Sequence, residues 1–288
     1  MTLGISFALL AAFIYGFLGI SFEIAGKRRY NVWNVMLYKQ ITGFLIGIGF
    51  TVITRGPLFH PTLLWLGLLG ATTYVITMSA YLVASRQRDI AANWTIVNLS
   101  VLLPILISVV WFKDAFTPTK ACGVVATLAS IVAIGGGLAG IGTATANSKW
   151  IRYIAVAFFF NGWLAILFRF VPEGYSGLFT VYFYGWSIPL VLVAKLTQDR
   201  NWKIEKGLLP VSALGAGTHW AGIMLTMAAL SRVGQVSSQA GVIVYPITNG
   251  LVIPVGVLLG VVLLKQTIQK RVAAGVVLGM VALALLSF

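Results

Sequence analysis

Acidic side chains are scarce in this chain: six aspartates and glutamates stand against 20 lysines and arginines, a formal net charge of +14 over 288 residues. Only Glu23 lies within the first apolar run near its basic end, and no second mid-span carboxylate is placed to pair with it. The single cysteine, Cys122, falls inside an apolar run, so the chain has no disulfide framework and no thiolate pair for a metal. No HExxH or GxSxG motif occurs. An intramembrane enzyme would need a nucleophile with a base, a carboxylate pair or a metal set, and with none of these the chain reads as a non-enzyme without cofactor or metal.

Charge of either sign is also low, at 9%, while hydrophobic residues make up 59% and the mean hydropathy is +0.95. A soluble core of this size does not require so much apolar chain, which makes this a membrane protein. The basic residues fall in short clusters between apolar runs and not along one amphipathic face. They read as a solvated rim beside membrane lipid, with no nucleic acid partner.

What is abundant is apolar chain long enough to cross hydrocarbon, which takes about 20 residues. Such runs recur near 3–25, 33–54, 62–84, 90–112, 117–139, 150–171, 177–196, 208–231, 236–264 and 271–288. The first lacks a basic leader and is read as a retained span, not a cleaved signal. The sequence thus predicts an all-α membrane protein of ten transmembrane helices.

The two halves of the chain correspond. Ser85-Arg86 aligns with Ser231-Arg232, and Tyr15-Gly16-Phe17 with Asn161-Gly162-Trp163, at one common offset. Phe112-Lys113-Asp114 and Gly123-Val124-Val125 reappear as Leu264-Lys265-Gln266 and Gly275-Val276-Val277 with the same internal spacing. The organisation expected is a first five-helix repeat over 1–140, a connecting loop over 141–149 and a second five-helix repeat over 150–288. An odd number of spans per repeat makes the second copy enter from the opposite side. The repeats are then inverted, the arrangement that supports alternating access at a midplane site in many secondary transporters.

Lysines and arginines set the orientation. Fourteen lie on the side that holds Lys27, Arg28, Arg29, Arg86, Arg88, Lys149 and Arg152, and five on the other, with Arg55, Lys113, Lys120, Arg169 and Arg232. The positive-inside rule places the first side in the cytoplasm and both termini outside.

The ten-span duplication, with Lys113-Asp114 and Gly123 in one half, Lys265-Gln266 and Gly275 in the other, and Pro104, Pro246 and Pro254 in the preceding spans, resembles the drug/metabolite transporter superfamily, specifically EamA-type carriers. The family usually has glutamate where Asp114 and Gln266 stand, and most of its members keep their termini in the cytoplasm, opposite to the charge count. The resemblance implies a bundle in the plasma (inner) membrane whose central cavity, lined mainly by the first, third, fourth, sixth, eighth and ninth spans, opens alternately to either side. It implies a small organic substrate, among amino acids, sugars, nucleotide-linked compounds and drugs.

One residue contradicts its surroundings. In NVMLYKQITGFLIGIGF, residues 34–50, Lys39 lies about 15 Å down a helix rising ~1.5 Å per residue, inside the hydrocarbon. A lysine there costs about 2.5–3.5 kcal/mol on insertion scales, so it should face the bundle and have a partner. Either Glu23 pairs with it structurally, or it offers its charge to a carboxylate or phosphate of the substrate. Gly43 and Gly47 share its neighbourhood and mark a close helix contact.

Tyr15 and Trp163 occupy equivalent places in the two repeats, as do Tyr74 and Trp220, while Trp94 and Tyr245 lie near the starts of the fourth and ninth spans. These rings either line a cavity for an organic solute or pack as an interfacial belt. His219, mid-span in GAGTHWAGIM, either takes up a proton and couples transport or bonds a neighbouring helix. Asn98, Asn161, Gln239 and Asn249 carry the same two readings. The substrate-binding set expected is therefore Tyr15, Lys39, Tyr74, Trp94, Asn98, Trp163, His219, Trp220 and Tyr245.

The function expected is a secondary active transporter, exporting a small organic metabolite such as an amino acid, sugar or related amphipathic solute by alternating access. The alternatives are a multidrug-type efflux carrier for lipophilic compounds, or a channel or scramblase. Proton or solute counter-transport is open to it, and so are monomer and homodimer.

Overall fold

The computed structural model describes residues 1–85, 93, 96–111, 113, 116–134, 148–237, 239–265 and 270–287, and among them the chain is helical with no strand. Apolar chain in lipid must satisfy its backbone groups internally, which leaves the helix as the element each run forms. Local capping and proline positions mark the ends. α1 (Thr2–Lys27) leads into α2 (Val32–Ile53), which is capped by Asn31: its side-chain oxygen accepts from the Asn34 amide over 3.1 Å. α3 (Pro61–Ser85) and α5 (Pro118–Ile134) both begin on proline, whose missing N–H is harmless in a first turn. Between them α4 (Leu102–Val110) follows a tight turn at Leu99–Val101.

In the second half, α6 (Ser148–Leu167) tightens into a 3₁₀ turn at Phe168–Phe170 and is followed by α7 (Ser176–Gln198). α8 (Leu208–Gly234) is entered through Gly207, whose φ of 88° suits a residue without Cβ. The ninth apolar run is broken into α9 (Ala240–Tyr245), a π-turn at Pro246–Gly250 and α10 (Val252–Leu264). Pro246 cannot donate to the helical ladder, and the widened turn accommodates it. α11 (Lys270–Ser287) closes the chain.

Among the described residues, seven helical segments are long and apolar enough to cross a membrane: α1, α2, α3, α6 with its 3₁₀ end, α7, α8 and the broken 240–264 run. The fourth and tenth expected runs are represented by shorter apolar helices, Ile96–Val110 and Ala273–Ala282, and the fifth by α5. The fourth and fifth reach residues outside those described. Leu45, Ile53, Trp65, Val193 and Val262 are exposed on the surface, as lipid-facing side chains of a multi-pass membrane protein should be.

Packing joins the two halves of the chain. α1 lies along α8, α3 along α6, α2 along α7 and α5 along α11, with α3 also against α7 and α2 against α8. At one end of the bundle the 28–34 segment is tied to the 199–206 segment: Asn31 donates to the Asp199 carboxylate, its backbone amide to Glu205 over 3.1 Å, Asn34 to the Lys203 carbonyl over 2.9 Å, and Tyr30 to the Lys206 carbonyl over 2.7 Å. Lys195 closes this basic end, donating to the Asn201 carbonyl with its ammonium 4.6 Å from the centre of the Trp202 ring. The main core is shared by α1, α2, α3, α6, α7 and α8 with contributions from α4 and α9, and Lys39 is buried where α2 meets α3 and α8.

Candidate functional site

Glycines set the centre of the bundle. A Cβ on Gly43 of α2 would come within 2.5 Å of the Tyr184 ring of α7, so only glycine lets that ring lie across α2. On α8, a Cβ on Gly215 would meet the Ser21 hydroxyl and pass 3.6 Å from Lys39 Cδ, which leaves the lysine stem a channel between α1 and α8.

Lys39 is 1% exposed and uses that channel to reach neutral groups. Its ammonium donates to the Tyr74 hydroxyl of α3 over 2.8 Å and lies 3.0 Å from His219 Nδ1 of α8. The Tyr184 hydroxyl lies 2.9 Å from the same Nδ1. The ammonium also lies 4.6 Å from the Tyr74 ring centre and 5.8 Å from that of Tyr184, within range of cation–π attraction. Glu23 is engaged elsewhere, in an ion pair with Lys27 one turn along α1 at 3.5 Å. Of the two partners open to Lys39 in the sequence, the carboxylate therefore goes to the basic loop. No acid stands within ion-pair distance of Lys39 among the described residues.

These contacts set donor and acceptor roles. Because the ammonium donates to the Tyr74 oxygen, the tyrosine keeps its own hydroxyl hydrogen for another acceptor. Because His219 Nδ1 faces the Lys39 ammonium, which can only donate, it acts as acceptor, and the neutral ring then carries its hydrogen on Nε2. Tyr74 and His219 both line a cavity of about 60 Å³, with Tyr15, Asn98, Asn161, Asn249, Met78 and Phe168. The buried lysine thus makes this wall rich in donors without itself lining the cavity.

The other expected residues divide. Tyr15 lines the cavity, its ring pressed on Gly222 of α8. Asn98 lines it, and so does Asn161, whose amide donates to the Val97 carbonyl over 3.1 Å and the Ser100 hydroxyl over 2.9 Å. Tyr245 stands behind the wall, donating to the carbonyl of lining residue Ala165 over 3.0 Å. Trp220 sits toward the end opposite the basic loops, where its indole donates to Thr180 over 3.1 Å and meets Phe50 edge-on. Trp163 is 42% exposed on the outer surface of α6, stacked with Phe159. Trp94 lies outside the described residues, as do Asp114 and Gln266. Gln239 accepts from Lys120 over 3.1 Å, away from the cavity.

Tyr184 is the member of the cluster that sequence reasoning did not single out. Two signals point to it. Gly43, one turn from Lys39, leaves room for a large ring, and the 146-residue offset that relates Ser85 to Ser231 sends Lys39 to Gly185, the neighbour of Tyr184.

A second cavity, of about 420 Å³, opens at the basic end. Phe22, Arg29, Tyr30, Met36, Tyr81 and Asp199 are among its lining residues.

Residues 2–136 match the EamA-like transporter family. The match spans just under half of the chain. A crystal structure 18% identical in sequence superposes with a TM-score of 0.72 over 97% of this chain and 96% of its own, a likeness of fold across both halves. No curated protein matches the chain.

Proposed function

We propose that this EamA-like protein is a secondary carrier that exports a small organic metabolite with an acceptor-rich head, such as a carboxylate, phosphate or sugar. Ten spans form two inverted five-helix repeats, 1–140 and 150–288, that rock about the central cavity. The helix pairing supports this: exchanging the repeats turns the contact of α1 with α8 into that of α6 with α3, and the contact of α3 with α7 into that of α8 with α2. Lys113 and Lys265, matched between the halves, both take a left-handed backbone, with φ of 60° and 51°. Gly16 packs on Val255 of the ninth run as Gly162 packs on Leu103 of the fourth.

The observation that carries the substrate class is a lysine ammonium 1% exposed with only neutral partners. A buried charge is stable only when paired or well hydrogen-bonded, and a bound anion or acceptor-rich solute completes the set through Tyr74 and His219. The cavity of about 60 Å³ has room for about two waters, so it must widen before a metabolite enters, as alternating access requires. A multidrug mechanism exchanging protons for lipophilic cations calls for a free central carboxylate, and Glu23 is paired with Lys27. The positive-inside rule favours the inner membrane with the 27–29 loop in the cytoplasm.

The test is ligand-dependent thermal stability of the purified protein against amino acids, sugars, phosphorylated metabolites and lipophilic cations, beside Lys39→Gln. Stabilisation of the native protein by acidic, zwitterionic or polyhydroxyl solutes, lost in a folded Lys39→Gln, is the expected result. Stabilisation by lipophilic cations alone, or an unchanged response in the variant, overturns the reading.

A further inference from the structure

Gln40, Thr77 and Ser212 are buried with no hydrogen-bond partner for the Gln40 amide nitrogen or oxygen, the Thr77 hydroxyl or the Ser212 hydroxyl among the described residues. Gln40 is 0% exposed. Folded proteins bond nearly all such groups, because a buried amide stripped of water and left unpaired is destabilising. A carrier has a reason to keep them: their partner arrives with the solute.

Their positions are consistent with this. On α3, Tyr74 and Met78 line the central cavity while Tyr81 and Leu82 line the vestibule at the basic end. Thr77 falls between, about 4.5 Å along the helix from Tyr74 and about 6 Å from Tyr81. On α2, Met36 lines the vestibule and Lys39 bonds Tyr74; Gln40 follows Met36 by one turn and shares its face with Met36 and Gly43. On α8, Ser212 lies one turn toward the basic end from Gly215, beside which the Lys39 stem passes. Three helices thus each place one unpartnered polar group between the vestibule and the Lys39 cluster. All three are uncharged and able both to donate and to accept.

We propose that Gln40, with Thr77 and Ser212, is a second solute-binding station on the path between the vestibule and Lys39, taking the neutral hydroxyl, amide or carbonyl groups of the transported solute. It deepens the carrier reading and rests on it. The Lys39 cluster holds the acceptor-rich head, and this layer reads the polar body that trails it. A solute with an acidic head and a hydroxylated or amide-bearing body satisfies both.

The test needs no knowledge of the solute. In a Cys122→Ser background, the full chain carrying Gln40→Cys, Thr77→Cys or Ser130→Cys is reconstituted into vesicles and treated with a membrane-impermeant sulfonated methanethiosulfonate. Ser130 is the control, buried where its hydroxyl bonds the Gly275 carbonyl over 2.6 Å between α5 and α11. The reagent consumes thiolate, which forms only where water reaches, so Gln40→Cys should react at least about tenfold faster than Ser130→Cys. Reaction at the control rate overturns the proposal. Should Gln40→Cys not be recovered folded, Thr77→Cys carries the same test. A second readout is Gln40→Met, which keeps the shape and removes the unpaired amide. A melting temperature about 2–4 °C higher is expected, and a fall shows that Gln40 is already satisfied and overturns the proposal. Labelled cysteines with an unresponsive Lys39 panel would sink the substrate reading alone. Unlabelled cysteines in a protein that solutes stabilise through Lys39 would sink the station alone.

Discussion

The Lys39 ammonium donates to the Tyr74 hydroxyl over 2.8 Å, a bond between two helices of the N-terminal half that aims the tyrosine's own hydrogen away from the lysine. It links a buried charge to a cavity the charge does not line. His219 completes the link, because its Nδ1 receives both Lys39 and Tyr184 from α2 and α7.

Removing the tyrosine oxygen should therefore be felt through the lysine. Tyr74→Phe is expected to destabilise the protein by about 1.5–3 kcal/mol, the range for hydrogen bonds to charged groups, and to cost much less in a Lys39→Met background. A double-mutant cycle by unfolding in detergent measures the coupling. Additive effects would show that the two residues do not act as a pair.

Space at Gly43 is tested by filling it. Gly43→Ala pushes on the Tyr184 ring and should cost about 1–3 kcal/mol, with partial recovery when Tyr184→Ala empties the same site. Melting curves of the two single variants and the double variant decide this, and no recovery would place the strain elsewhere.

Asn31 serves two segments at once, capping α2 and donating to Asp199 in the other half of the chain. Asn31→Ala should lose about 1 kcal/mol from the cap. Asn31→Asp keeps the cap but sets a carboxylate against Asp199 and Glu205, so it should loosen the joined loops. Limited proteolysis within 199–206 should then be faster in Asn31→Asp than in the native protein, and equal rates would count against the tie between the two halves.

The two tryptophans that the sequence matched to Tyr15 and Tyr74 should behave differently. Trp163→Leu, on the outer surface, is expected to change stability by no more than about 0.5 kcal/mol. Trp220→Phe loses the bond to Thr180 and should cost about 0.5–1.5 kcal/mol. Similar losses at both positions would contradict the outward placement of Trp163.

Orientation has its own readout. A reporter at the C-terminus should signal from outside the cytoplasm if the charge distribution governs insertion. A cytoplasmic signal reverses the assignment of the vestibule and with it the proposed direction of transport.

What the sequence determined by itself follows from one-dimensional physics. Runs of apolar residues of membrane length must become helices in lipid, basic clusters must sit at their ends, and a lysine ten residues past such a cluster must turn inward and find a partner. The choice of partner was left to the tertiary structure. Glu23 and an anionic group of the substrate were the partners open along the chain, but reach depends on how each helix is rotated and how near its neighbours come. Gly43 lets the Tyr184 ring cross α2, and Gly215 opens the channel for the lysine stem. Together they carry Lys39 to His219 and Tyr74, while Glu23 stays one turn from Lys27 on its own helix. Trp163 illustrates the same limit: its position along the repeat matched Tyr15, but the rotation of α6 turned it toward lipid.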